Sequence, residues 1–152
     1  MPRVELVKEF PGDVRKAFDY IQDFTRWREW FAGLTDIIDP ELGAWTFPGD
    51  SVRIRYRLLG RTIEGEAILE GRTDYRYVCY SAYVPGLPKV THTWRYKPTN
   101  EGFTISLTSE TNPHTSFFGR TIDALLIPRT LERDVRNTLN NLSVALRFGF
   151  AD

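Results

Sequence analysis

Cysteine occurs once in the 152 residues, at Cys79, which excludes an internal disulfide and any Cys-based zinc site. Histidine occurs twice, at His92 and His114, too few for a His-rich catalytic metal centre. An excess of basic charge is missing too. Lys+Arg and Asp+Glu are 20 each, which argues against a nucleic-acid binder that works by neutralising phosphates. No run approaches the roughly 20 apolar residues that span a bilayer. The opening Met-Pro-Arg-Val-Glu-Leu-Val-Lys-Glu is too charged for the apolar stretch of a signal peptide. These absences predict a soluble, cytoplasmic chain with no membrane insertion, no metal and no cofactor. The length predicts one domain over 1–152, able to bury roughly 68–70% of its unfolded surface.

Aromatic side chains are abundant: ten Phe, seven Tyr and four Trp. They either fill a large core or line a cavity, and their placement along the chain decides which.

Arg3 to Phe10 reads as a strand, broken by Pro11-Gly12, with Asp13 positioned to cap a helix. Val14, Ala17, Phe18, Ile21 and Phe24 follow at helical spacing. Trp27 to Phe31 predicts a second short helical turn closed by Gly33, and Leu34 to Pro40 a short strand. The loop 43–49 carries Trp45 and Phe47. Val52 to Leu58 then alternates apolar and basic residues, and Arg61 to Ala67 alternates again with acids. A two-residue turn at Leu59-Gly60 sets Arg55 against Glu64, Arg53 against Glu66, Tyr56 against Ile63 and Ile54 against Gly65. Charges then meet on one face and apolar groups on the other, as a half-solvated antiparallel sheet requires. A one-residue slip would turn the Arg side chains inward, so the Arg stripe is read as a solvated face.

Tyr75 to Tyr83 predicts a further strand. Val90 to Lys97 and Phe103 to Thr111 predict a second hairpin in which Lys97 pairs with Gly102 and His92 lies opposite Leu107. Beyond Pro113 a helix runs to about Phe148, with Leu131, Val135, Leu139, Leu142 and Leu146 as its apolar stripe. Pro128 should kink that helix or mark its start. The expected architecture is α+β, a curved antiparallel sheet of about six to seven strands wrapped around a long C-terminal helix, with two short helices after the first strand.

This ordered set resembles the helix-grip fold of the START/Bet v 1-like (SRPBCC) superfamily, in its polyketide cyclase/dehydrase and lipid-transport branch. The resemblance rests on Val14-Arg-Lys-Ala-Phe18, Asp23-Phe-Thr-Arg-Trp27-Arg-Glu-Trp30, Thr93-Trp94-Arg-Tyr-Lys-Pro98 and the segment 129–142. It implies a cavity between sheet and helix, but no particular reaction. Matching the strand 77–83 to the family pattern turns Tyr77, Cys79, Ser81 and Tyr83 inward.

No catalytic signature such as G-x-S-x-G, a P-loop or H-E-x-x-H is present. The candidates are polar groups on the inner face. His92 is either a general acid–base near neutrality or a neutral core histidine bonded to a neighbour. Tyr56 and Ser109 are its candidate helpers. Tyr56, Tyr77, Ser81, Tyr83, His92, Trp94, Leu107 and Ser109 are expected to line the cavity, with Phe117, Phe118, Leu125 and Leu126 at its mouth. His114 reads as an exposed loop residue and Cys79 as an inert thiol. The leading expectation is binding or carrying of a hydrophobic small molecule, lipid-like or aromatic and polyketide-like. The alternative is an aromatase/cyclase- or dehydratase-like enzyme using the same cavity, and a weaker one is an interaction module presenting Trp45 and Phe47.

Overall fold

The computed structural model describes residues 3–58, 60–85, 88–111 and 117–148, with side chains for all of these except 58, 117–130 and 148. The strands are β1 (Arg3–Pro11), β2 (Leu34–Ile38), β3 (Ser51–Leu58), β4 (Arg61–Thr73), β5 (Tyr77–Tyr83), β6 (Val90–Pro98) and β7 (Gly102–Thr111). The helices are α1 (Val14–Gln22) and α2 (Phe117–Phe148), with short 3-10 helices at Phe24–Glu29 and Pro40–Leu42. One antiparallel sheet runs in the order β1-β7-β6-β5-β4-β3-β2 and curls around α2, the expected helix-grip arrangement.

Local chemistry explains the helical segments. Asp13 accepts the Arg15 backbone N–H at 2.9 Å and so satisfies one orphan donor of α1. Asp23 does the same for Thr25 at the 3-10 helix, at 3.1 Å. The chain then crosses the concave face, buries Trp27 and Trp30, and turns at Gly33. Gly33 has φ +85°, and a Cβ there would press on the Arg57 carbonyl oxygen at 3.2 Å, so only glycine suits the turn. α2 runs unbroken from Phe117 to Phe148 past Pro128, which therefore does not mark its start. Leu131, Val135, Leu139 and Leu142 are buried, and Thr138 Oγ1 accepts the Ala32 N–H at 3.2 Å.

The first hairpin has the expected register: Arg55 pairs with Glu64, Arg53 with Glu66, Tyr56 with Ile63 and Ile54 with Gly65. Arg55 reaches Glu64 at 3.1 Å on the exposed face. The second hairpin differs by two residues. Pro98 pairs with Phe103, because Thr99 and Gly102 close the tip through Thr99 N–H to Gly102 O at 2.8 Å and Gly102 N–H to Thr99 Oγ1 at 3.1 Å. A shift of two preserves the faces but changes the partners, so His92 lies opposite Ser109 and Trp94 opposite Leu107.

In β5 the faces are reversed. Tyr80 pairs with His92 and Val78 with Trp94, so Val78 and Tyr80 face the core. Tyr77, Cys79, Ser81 and Tyr83 are on the convex side. There Ser81 bonds Thr91 at 3.2 Å, Arg95 covers the Tyr77 ring at 5.1 Å, and Tyr83 is exposed. The physical reason is that Tyr77 to Tyr83 lacks the polar–apolar contrast that sets strand parity. Its partner β4 also carries a bulge between Leu69 and Gly71. Ser81 is fully buried all the same, among outward neighbours and not in the concave interior.

Candidate functional site

The concave face is filled unequally. Toward α1, all four tryptophans converge on the sheet. Trp27 packs edge-on to Trp45 at 4.8 Å, Trp30 meets Trp94 at 5.5 Å, and Tyr80 lies 5.4 Å from Trp45. Phe18 is fully buried between Tyr75 and Tyr96, with the Arg72 guanidinium 5.2 Å above its ring. Edge-to-face geometry suits the ring quadrupoles and adds to the burial gain. Here the aromatic residues make a close-packed core. The cavity inside it holds about 10 Å³, room for about one water.

Polar groups are threaded through this core. Trp27 donates to the Ile21 carbonyl at 2.8 Å. Gln22 accepts from Trp45 at 3.1 Å and donates to the Tyr96 hydroxyl at 3.2 Å, so both ends of its amide are occupied. The Arg72 guanidinium bonds the Trp45 carbonyl and reaches Asp74 at 2.8 Å. Trp45, expected on an exposed loop, is buried, and of the loop's two aromatic residues only Phe47 projects into solvent. This removes the basis for an interaction module built on both residues. Outside the core, Asp19, Asp23, Thr46 and Arg72 border an open surface groove of about 300 Å³.

Toward the other end, where the β3–β4 turn and the β5–β6 connection lie, concave-face residues keep accessible surface. Tyr56, Ile63, Val90 and His92 are all only partly buried, although their strands place them inward. Tyr83 and Val84 come close to β4 at this end. A Cβ on Gly65 would meet the Tyr83 carbonyl oxygen at 2.7 Å and a Val84 methyl at 3.0 Å.

His92 stands at the boundary between the two regions, its ring 5.0 Å from Tyr80. Its Nδ1 is 2.6 Å from Ser109 Oγ, and Ser109 is fully buried. The residue as a whole is only partly buried, yet burial pushes its pKa down to about 4. It is therefore a neutral imidazole at pH 7. Across the interior, burial and the nearby Asp134 carboxylate push the Tyr56 phenol up to about 12. Burial likewise raises Asp134 above the ordinary carboxylate range. Tyr80 is raised by burial, against a smaller pull from the adjacent Trp94 N–H. That N–H still lacks an acceptor in hydrogen-bond geometry.

Of the residues expected to line a cavity, the structure brings Tyr56, His92, Trp94, Leu107 and Ser109 to the concave side. Trp94 and Leu107 belong to the packed core. Phe117, Phe118, Leu125 and Leu126 have side chains outside the described set, and His114 lies outside the described residues. Tyr80 and Trp30 were not foreseen as lining. Trp30 had a sequence signal, three residues after Trp27 and so on nearly the same side of a helical turn, whereas Tyr80 had none without the strand's parity. Among the described residues no group of three or more His, Cys, Asp or Glu side chains could hold a metal ion. No described helix is long and apolar enough to cross a membrane.

Comparison with solved structures returns the same fold at low sequence identity. Protein NE0264 from Nitrosomonas europaea superposes with a TM-score of 0.76 at 15% identity, covering 99% of this chain and 97% of that one. TTHA0849 from Thermus thermophilus gives 0.75 at 16% identity, covering 93% and 94%. The di-domain ARO/CYC StfQ from the steffimycin biosynthetic pathway gives 0.72 at 17% identity, over 94% of this chain and 49% of that protein. No curated protein sequence matches. A family model does match, over residues 1–147, and with the curled sheet gripping α2 it shows that the chain belongs to the polyketide cyclase/dehydrase and lipid transport family.

Proposed function

We propose that this protein binds or carries a hydrophobic small molecule, lipid-like or aromatic and polyketide-like, without transforming it, in the interior between the sheet and α2. The observation that carries the reading is the unequal filling of the concave face. Val78, Tyr80, Trp94 and Tyr96 are buried at one end, whereas Tyr56, Ile63, Val90 and His92 remain accessible at the other. An apolar lining with sparse polar anchors is what an apolar ligand requires. Membership of a family described by cyclase, dehydrase and lipid-transport roles supports a ligand of that chemistry.

Carrying is favoured over catalysis because a general acid–base works best with a pKa near the operating pH. His92, at about 4, is a poor base and no acid at pH 7, and Tyr56, at about 12, is too weak an acid. Neither group is thus tuned for the proton transfers of a cyclase- or dehydratase-like reaction at neutral pH.

Titration with fluorene, followed through tryptophan fluorescence, tests the reading. Saturable one-to-one quenching is expected, weakened at least about tenfold by Val90→Asp, since about 1.4 kcal/mol is a factor of ten. Val7→Asp, on the convex face of β1 and 64% exposed, should leave it unchanged. Absence of saturable binding, or equal weakening by both variants, would overturn it.

A further inference from the structure

We infer that the indole N–H groups of Trp30 and Trp94 form an acceptor-binding subsite at the inner end of the ligand interior, selecting apolar molecules that carry a carbonyl or similar oxygen. The inference rests on the carrier reading and narrows its ligand class. Both side chains are almost fully buried, at 3% and 2% exposure, and neither N–H has an acceptor among the described residues. A buried donor left without a partner is costly, and native structures rarely keep one without a reason. Here there are two, on rings 5.5 Å apart, and both rings line the same cavity of about 10 Å³.

The rest of that lining sharpens the chemistry. Ile21 and Val78 are apolar, and Gln22 has both amide ends engaged. The Tyr80 hydroxyl oxygen lies beside the Trp94 N–H but outside hydrogen-bond geometry. A group entering here meets two indole N–H donors without partners in a lining that is otherwise mostly hydrocarbon, which favours an acceptor. An oxygen atom fits the volume; a ring does not. Tyr80 also touches His92, the boundary residue of the accessible end. Tyr80 thus forms a common wall between the accessible end and the indole pair.

The test compares fluorenone with fluorene, two planar tricycles that differ by one carbonyl oxygen. The four tryptophans give four indole N–H cross-peaks in a nitrogen–proton correlation spectrum, assigned with Trp30→Phe and Trp94→Phe. Fluorenone should bind about tenfold more tightly than fluorene, the worth of one or two neutral hydrogen bonds. It should move the Trp30 and Trp94 peaks downfield by more than those of Trp27 and Trp45, which line the same cavity but already donate to Ile21 and Gln22. The double Phe variant should lose the preference. Equal affinities with the Trp30 and Trp94 peaks unmoved would overturn the subsite and leave the carrier reading standing. A preference that survives in the double variant would do the same, and failure of both probes to bind would overturn both.

Discussion

His92→Gln offers a direct thermodynamic reading of the boundary residue. In the folded chain burial holds the imidazole at about 4, against 6.5 for an unperturbed histidine. Between these values the unfolded chain takes up a proton that the folded chain refuses. Stability is therefore fully present above pH 6.5 and is lost as the pH falls toward 4. Linkage over the interval from pH 7.5 to 5 gives about 2 kcal/mol, from a slope approaching 1.4 kcal/mol per pH unit. Glutamine keeps a polar group near Ser109 Oγ, which stands 2.6 Å from His92 Nδ1, but does not titrate. Urea denaturation of both proteins at the two pH values isolates the effect, because carboxylates such as Asp134 and Glu29 titrate alike in each. The wild type should lose about 2 kcal/mol more than the variant on acidification. Equal losses would mean that water reaches the imidazole well beyond its partial exposure, and that the packed interior ends short of His92.

Other substitutions probe the packing that positions the site. Phe18→Ala, removing a fully buried ring held between Tyr75 and Tyr96, should cost about 3–5 kcal/mol in a denaturant titration. Gly102→Ala places a Cβ only 2.0 Å from the Phe10 carbonyl oxygen. It should cost about 1–3 kcal/mol or more, with amide exchange accelerated first along β1, the sheet edge it displaces. Arg55→Ala should change stability by less than about 1 kcal/mol despite the 3.1 Å contact with Glu64, because that pair is exposed and screened. A larger loss would give the Arg stripe a role beyond solvation.

The sequence made different parts of the fold legible to different degrees, and the differences have physical causes. In β3 Arg53, Arg55 and Arg57 alternate with apolar residues, and in β4 Glu64 and Glu66 do the same, so polarity alone set the pairing of Arg55 with Glu64 and of Tyr56 with Ile63. In β6 and β7 the inner face was legible but the partners were not. A tip closed by Thr99 and Gly102 moves the ladder two residues without changing any face, and His92 acquires Ser109 in place of Leu107. In β5, tyrosines stand at positions of both parity, so hydrophobicity cannot say that Tyr80 faces inward and Tyr77 outward. Trp45 shows the same limit at a loop. Its burial depends on Gln22, a helix residue 23 positions earlier that receives its N–H. Aromatic abundance pointed equally to a filled core and to a lined cavity. The structure assigns the tryptophans to the first, while Tyr56 and His92 keep accessible surface on the concave side.

Native mass spectrometry of the freshly purified chain, paired with organic-solvent extraction, puts the hydrophobic-carrier account to its most direct trial. The account expects a one-to-one mass excess from an apolar molecule, released by extraction and missing from Val90→Asp. A bare polypeptide mass that stays bare after incubation with fluorene would contradict it.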